Sequence, residues 1–342
     1  MSSEETPPRF PTTPRDVNNA PVIPILPCGS TISVRGKAYK IVDWEGCGAF
    51  GQVYKVVCET TGTFHALKIE RKHPSHASLK HESDIYSYMQ RNFSPMGLNH
   101  IAKVEGYIEN NQFGIMIMEL CHQSLYSAIK NDTDFHGFPL KKCQGFLREI
   151  LRVIIDMESC GVIHADLKPE NIMIGNSGRI RVVDFGGAVL STDKLSTYFM
   201  SRFYRAPEVI LQANNLQGID IWSLGCIMAE LYLGLPIFAG DDNLHMLQLM
   251  SIRLDKLTPF GIAWRDYMMP DGSVFAAGPV IDMVGHGRSL KVLLARQARK
   301  HKDQPQHIER FYSLLKSMLA FNPENRATPA EIRDHPFLSI VF

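Results

Sequence analysis

At 342 residues the chain is longer than a single hydrophobic core usually grows, so two compact units or one two-lobed domain is expected. Its 36 basic and 35 acidic residues leave a formal net charge of +1, which supplies no bulk attraction for nucleic acid or an anionic membrane and speaks against either as a direct partner. The seven cysteines never form C-x-x-C, no apolar run reaches the ~18 residues of a spanning helix, and "MSSEETPPRF" lacks the regions of a signal peptide; the expectation is a soluble intracellular protein, in nucleus or cytoplasm, with no disulfide framework or zinc site.

Residues 1–35 include "TPPRFPTTPRDVNNAPVIPILP", too rich in proline for a helix or an inner strand, and are predicted to be a disordered tail ahead of a domain spanning 36–342. From Lys37 the short runs "YKIVDW", "GQVYKVVCE" and "FHALKIE", with turn residues such as "TTGT" between them, predict an antiparallel sheet. One helix is expected over "ASLKHESDIYSYMQ", followed by further strands around "KVEGYIENNQFGIMIMEL" that end near Leu120. Beyond "SLYSAIK" the pattern is helical. "CQGFLREILRVIIDME" sets Phe146, Leu147, Ile150, Val153, Ile154 and Met157 at helical spacing and predicts a core face. "IDIWSLGCIMAELYLG" is apolar nearly all round, as a central buried helix would be, with Gly234 as its stop. Between 259 and 305, "PDGSV" and "GHGRS" read as loops and "LKVLLARQARKHK" as a basic helix whose charges are solvated. There is no internal repeat.

Several motifs carry chemistry. "GCGAFGQV" places Gly46, Gly48 and Gly51 ahead of Val53, and glycines at that spacing let backbone N–H groups approach a polyphosphate. The same spacing opens dinucleotide-binding folds, but there the glycine turn runs into a helix, whereas "QVYKVVCE" reads as a strand. A nucleotide flap is therefore favoured over a dinucleotide oxidoreductase. Lys68 closes "HALK" 17 residues after Gly51, and Glu82 and Asp84 lie on the helix that follows. Leu79, Tyr86 and Ser83 share the flank of Glu82, which favours it over Asp84 as the inward carboxylate. "HADLKPEN" then brings His164, Asp166, Leu167, Lys168, Pro169 and Asn171 together, and "VVDFGGA" adds Asp184 after a strand-like "RIRVV".

With "APE" at Ala206–Glu208, this ordered series resembles the eukaryotic protein kinases over about residues 36 to 340. The resemblance implies an α+β, bilobal fold: a β-rich N-terminal lobe over 36–121 and a mainly helical C-terminal lobe over 122–342. It implies ATP and Mg²⁺, transfer of a phosphoryl group to protein substrates, and a monomer. Lys68 would hold the α- and β-phosphates with Glu82 as its partner; Gly46, Gly48, Gly51, Val53, Ala66, Met118, Glu119 and Cys121 would line the nucleotide site. Asp166 would orient and deprotonate the acceptor hydroxyl, Lys168 would neutralise charge on the transferred group, and Asn171 and Asp184 would ligate the metal. Glu208 would pair with Arg326, and Asp220 would brace the catalytic loop.

Within the superfamily, "STYFMSRFYRAPEVIL" resembles the branch of homeodomain-interacting and dual-specificity tyrosine-regulated kinases, and alanine before the catalytic aspartate is closer to the former. The chain departs from both at Gly187, after "DFG", and matches poorly between 240 and 305. Ala165 replaces the arginine that in many kinases grips a phosphothreonine. In its absence a phosphate on Tyr198, beside Ser196 and Thr197, could be held by Arg202 and Arg205. The resemblance implies serine/threonine specificity, from Lys168, and proline-directed substrates, from "SRFYRAPE". The competing expectation is a pseudokinase scaffold, whose sign would be loss of Lys68, Asp166, Asn171 or Asp184; all four are present.

Overall fold

Alternation of apolar and polar side chains builds the first part of the chain into a sheet. The computed structural model describes residues 23, 25–47, 51–72, 79–191, 200–211, 216–254 and 288–342. Strands β1 (Thr31–Val34), β2 (Lys37–Cys47), β3 (Gly51–Cys58), β4 (Phe64–Arg71), β5 (Val104–Glu109) and β6 (Phe113–Glu119) form one sheet in the order β1-β2-β3-β4-β6-β5. One face buries Tyr39, Ile41, Tyr54, Val56, Leu67 and Ile69, each at most 2 % exposed. The opposite side chains of β3 and β4 pair Val53 with Lys68 and Lys55 with Ala66 across the antiparallel register.

The predicted tail ends earlier than residue 35. Ile23 and Leu26 pack against the sheet's core, the Leu26 N–H donates to Tyr54 Oη at 3.1 Å, and β1 forms a hairpin with β2. Arg35 and Gly36 turn that hairpin with φ of 49° and 77°, the left-handed pair a two-residue connection needs. Residues 1–22 lie outside the described residues.

Contacts divide the chain into two units, one running to Leu79 and taking in Glu105–Met118, the other comprising Lys80–Val104 and Glu119–Phe342. The expected boundary at 121 grouped the first helix, α1 (Leu79–Asn92), with the sheet; its contacts place all but its first residue in the second unit. Tyr86 packs edge-on against Phe185 with ring centroids 5.2 Å apart, Tyr88 Oη donates to Cys160 O at 3.0 Å, and His81 Nε2 lies 2.6 Å from Ala188 O.

The second unit also holds α2 (Pro95–Leu98), α3 (Leu125–Thr133), α4 (Leu140–Ser159), α5 (Pro207–Ile210), α6 (Ile219–Leu233), α7 (Asn243–Arg253), α8 (Leu290–His301), α9 (Pro305–Met318) and α10 (Pro329–Arg333). Short strands β7 (Gln123–Ser124), β9 (Ile172–Ile174) and β10 (Ile180–Val182) form one small sheet, and β8 (Val162–Ile163) pairs with β11 (Val189–Leu190). The predicted core face of α4 is buried at all six named positions. Every residue of α6 from Ile219 to Tyr232 is buried, and the helix stops at Gly234, whose φ is 89° and whose N–H bonds Glu230 O at 2.7 Å. A Cβ at Gly234 would also lie 2.0 Å from Phe135 O, so close approach and left-handed backbone both demand glycine. The basic helix is α8, which buries Leu290, Leu294, Gln297 and Ala298 and turns its arginines outward. "PDGSV" lies outside the described residues. Among the described residues no helix is long and apolar enough to cross a membrane.

Arg326 joins distant parts of this unit. Its Nη1 and Nη2 donate to Glu208 Oε1 and Oε2 at 2.6 and 2.9 Å, the two side chains are 1 % and 0 % exposed, and the guanidinium lies 5.3 Å from the Trp222 ring centre. Removing one partner strands the other charge in low dielectric, so Arg326→Met is expected to cost about 3–5 kcal/mol. The Glu208→Leu, Arg326→Met double variant is expected to lose less than either single change, and a double-mutant cycle by denaturant unfolding measures the difference.

Candidate active site

In the first unit the motif residues share one face of the sheet. Val53, Ala66 and Lys68 stand opposite the buried Tyr54 and Leu67, and Lys68 Nζ pairs with Glu70 Oε1 at 3.1 Å. The two described glycines of the flap meet different constraints. A Cβ at Gly51 would fall 2.5 Å from Ile69 O, a local demand of the sheet, whereas one at Gly46 would meet nothing within 4 Å among the described residues. Gly48 lies outside the described residues. Met118 is 8 % exposed and is the last residue of this unit before the chain crosses to the other.

The second unit begins its share with Glu82 on α1, which is 1 % exposed, while Asp84 is exposed and pairs with Lys80. Helical spacing separates the two carboxylates, as the flanking Leu79 and Tyr86 suggest. Glu119 and Cys121 stand where the chain re-enters this unit, and burial pushes the Cys121 thiol up to about 12, which keeps it protonated near neutral pH.

The catalytic loop is built around Asp220, in the first turn of α6. Its Oδ2 accepts the His164 N–H at 2.7 Å and its Oδ1 the Ala165 N–H at 3.0 Å. Burial raises the Asp220 carboxyl, opposed by the neighbouring His164 and the two N–H donors. Ala165 has φ of 63°, a conformation that costs an L-residue roughly 1–2 kcal/mol. The two bonds to Asp220 hold it there. Asp166 follows, with its N–H donating to His164 Nδ1 at 3.2 Å, and His164 Nε2 faces Val183 O at 3.1 Å. These two bonds are satisfied by the tautomer with hydrogen on Nε2. The His164 ring rests on Phe185, centroids 4.7 Å apart.

Four further contacts fix Asp166. Its Oδ1 accepts the Ser201 N–H at 2.8 Å, its Oδ2 accepts Lys168 Nζ at 2.7 Å and Asn171 Nδ2 at 3.4 Å, and its backbone O accepts Asn171 Nδ2 at 2.9 Å. Lys168 also donates to Ser201 Oγ at 3.0 Å. Asn171 O accepts the Val183 N–H at 3.0 Å, tying the loop to Asp184, which has φ of 64°. Gly187 sits in a tight turn where a Cβ would meet only ordinary contacts, 3.9 Å from His164 O, so the fold does not require glycine there. Beside the loop, burial raises Glu170 and pushes Glu230, which accepts Tyr204 Oη at 2.7 Å, up to about 8.

The arginines of the segment before "APE" are already engaged. Arg205 is buried and donates from Nη2 to Met200 O at 2.8 Å and from Nη1 to Asn243 Oδ1 at 3.0 Å; Arg202 is exposed and donates to Asp241 O. Tyr198 lies outside the described residues. Ser201 escaped the sequence reading, because nothing in the spacing of residues 166 and 201 reveals that they meet.

The donor set fits Mg²⁺. Asn171 spends its amide N–H on Asp166, which leaves Oδ1 as the atom that would ligate a cation, and Asp184 would supply a second oxygen. Among the described residues there is no cluster of three or more His, Cys, Asp or Glu able to hold a metal, and Mg²⁺ asks for none, since it takes one or two protein oxygens and completes its shell with phosphates and water.

Residues 39–338 match the protein kinase domain. The chain is 29 % identical over 336 residues to homeodomain-interacting protein kinase 2 of Mus musculus, covering 88 % of this chain and 28 % of that protein. It is 32 % identical over 320 residues to dual specificity tyrosine-phosphorylation-regulated kinase 3 of Mus musculus, covering 88 % and 54 %, and 32 % identical over 322 residues to dual specificity tyrosine-phosphorylation-regulated kinase mbk-2 of Caenorhabditis briggsae, covering 88 % and 38 %. The matched regions thus span 28 % to 54 % of these relatives' own lengths, and both branches match at similar identity. A family match over most of the chain, around a loop whose aspartate is held by lysine, asparagine and backbone, establishes that the chain belongs to the protein kinase family of phosphotransferases.

Proposed function

We propose that the chain is an active, ATP-dependent, proline-directed serine/threonine kinase that also phosphorylates its own Tyr198. The observation that carries the activity is the restraint on Asp166, whose carboxylate and backbone are both bonded to neighbours. A base held this way can orient an incoming hydroxyl and take its proton while the hydroxyl oxygen bonds to the γ-phosphorus and the bond to the ADP oxygen breaks. Lys168 offers positive charge beside the transferred group, and Lys68 would serve the α- and β-phosphates. Mg²⁺, held by Asn171 and Asp184, would neutralise phosphate charge. Protein hydroxyls are the proposed acceptors.

Proline direction rests on Met200. Its φ of 72° is left-handed, and its carbonyl is taken by Arg205 Nη2 at 2.8 Å. No carbonyl is then offered to the N–H of the residue after the acceptor, and proline has no N–H to satisfy. The Tyr198 reading rests on an "STY" run followed by exposed Arg202, with Ala165 unable to supply a cation. Arg205 is committed to Met200 and Asn243, so Arg202 is the arginine to which a phosphate is assigned.

Asp166→Asn is expected to lower kcat on a degenerate peptide library by roughly 10²–10⁴ while nucleotide binding and the melting temperature stay near wild type. Turnover within a few-fold of wild type would remove Asp166 from its role. Leaving an N–H unsatisfied costs about 1–3 kcal/mol, so replacing proline by alanine after the acceptor is expected to reduce kcat/KM by about tenfold or more, and indifference at that position ends the proline-directed reading. Mass spectrometry of protein made in a bacterial host is expected to find phosphate on Tyr198 in the wild type and none in Asp166→Asn. Tyr198→Phe should retain the fold and lose activity; unmodified Tyr198 in fully active enzyme would show that packing alone holds the segment.

A further inference from the structure

Outside the catalytic loop, one ion pair sits where the chain passes from the first unit into the second. Glu119 is the first residue of the second unit after β6, and its carboxylate is gripped by Arg181 of β10, with Nε 3.0 Å from Oε1 and 2.9 Å from Oε2. The same guanidinium donates to Asn99 O. Glu119 is tied to the other crossing as well: its N–H donates to Lys103 O at 2.7 Å and its Oε2 accepts the Lys103 N–H at 3.4 Å. The pair is 15 % and 24 % exposed and packs beside Gly175, where a Cβ would lie 3.4 Å from Glu119 Oε1 and 3.5 Å from Arg181 Cγ. A pair so enclosed is screened by solvent far less than a surface pair.

Backbone bonds extend the connection. Val182 N–H donates to His100 O at 2.8 Å and Val182 O accepts the Ala102 N–H at 3.2 Å, so residues 99–103, β10 and Glu119 form one braced cluster. Asp184 lies two residues beyond Val182, and Cys121 two residues beyond Glu119.

We infer that Arg181 is a positioning residue for the nucleotide, fixing the segment Glu119–Cys121 against the strand that delivers Asp184. The inference rests on the proposed reading of this site as one for Mg-ATP. ATP is a long ligand whose base and phosphates need separate fixed partners. Glu119 and Cys121 are assigned to the base end, and Asp184 to the metal at the phosphate end. One side chain joining the two supports keeps their separation constant, and preorganisation of that kind appears in nucleotide affinity, not in the chemical step. It also gives the Glu119 carboxylate its role, which is to hold Arg181.

Wild type, Arg181→Met and Arg181→Lys are to be titrated with a fluorescent N-methylanthraniloyl ATP and Mg²⁺, and assayed on a proline-containing acceptor peptide at varied ATP. Wild-type binding and turnover are measured first; their absence sinks the proposed function and this inference with it. With an active wild type, Arg181→Met is expected to raise the nucleotide Kd and the KM for ATP together by about tenfold, leaving kcat within about twofold and the peptide KM unchanged. Arg181→Lys keeps the charge but loses the guanidinium that serves Glu119 and Asn99 O together, so it should recover only part of the loss and leave the KM for ATP severalfold above wild type. An unchanged KM for ATP, or a fall in kcat that merely follows a lowered melting temperature, overturns the assignment. Should Arg181→Met fail to fold, the same split read on Arg181→Lys decides, with a KM for ATP equal to wild type counting against it.

Discussion

The carboxylate of Asp220 is the constraint on which the catalytic loop depends. It sits in the first turn of a helix buried along its length and receives the N–H groups of two consecutive residues, His164 and Ala165. Those two bonds hold the backbone of Ala165 in a left-handed turn it would otherwise leave. The turn lets Asp166 fold back onto the His164 ring, and that ring rests on Phe185, which in turn meets Tyr86 of the first helix. A single buried carboxylate therefore reaches Asp166, the turn at Phe185 and α1. Its burial raises its own carboxyl, a strain that the donated N–H groups offset.

Ala165 shows how this frame is used without a basic side chain. The residue is 1 % exposed, so its methyl is enclosed within the frame. Order in the described part of the segment before "APE" comes from elsewhere: Ser201 on Asp166 and Lys168, Arg205 on Met200 and Asn243, and Arg202 on Asp241. These contacts fix the backbone around Met200 through its own carbonyl, a role that a cation at 165 is not needed to fill.

Local periodicity made much of the fold legible. The apolar spacing of α4 and the all-round apolarity of α6 are consequences of burial, and burial is what the structure shows. The strand after Gly51 is equally local, since the flap runs directly into β3. Legibility failed where position depends on partners remote in sequence. Strand β1 has only four residues and a turn of Arg35 and Gly36, and a proline-rich neighbourhood concealed it. The allegiance of α1 follows from Phe185, Cys160 and Ala188, all far along the chain. Ser201 meets Asp166 across 35 residues and Arg181 meets Glu119 across 62, and no spacing rule connects either pair.

The Arg326–Glu208 pair closes a span of 118 residues, and Gln144 of α4 bonds Phe337 O across 193. Closing long loops is entropically slow, though each doubling of length costs only about 0.6 kcal/mol. During synthesis the segment that carries Asp220 leaves the ribosome long before residue 326 exists to anchor Glu208. Until residue 326 has been made, Glu208 lacks the guanidinium that compensates its buried charge, so this pair can close only after the whole span between them has been synthesised.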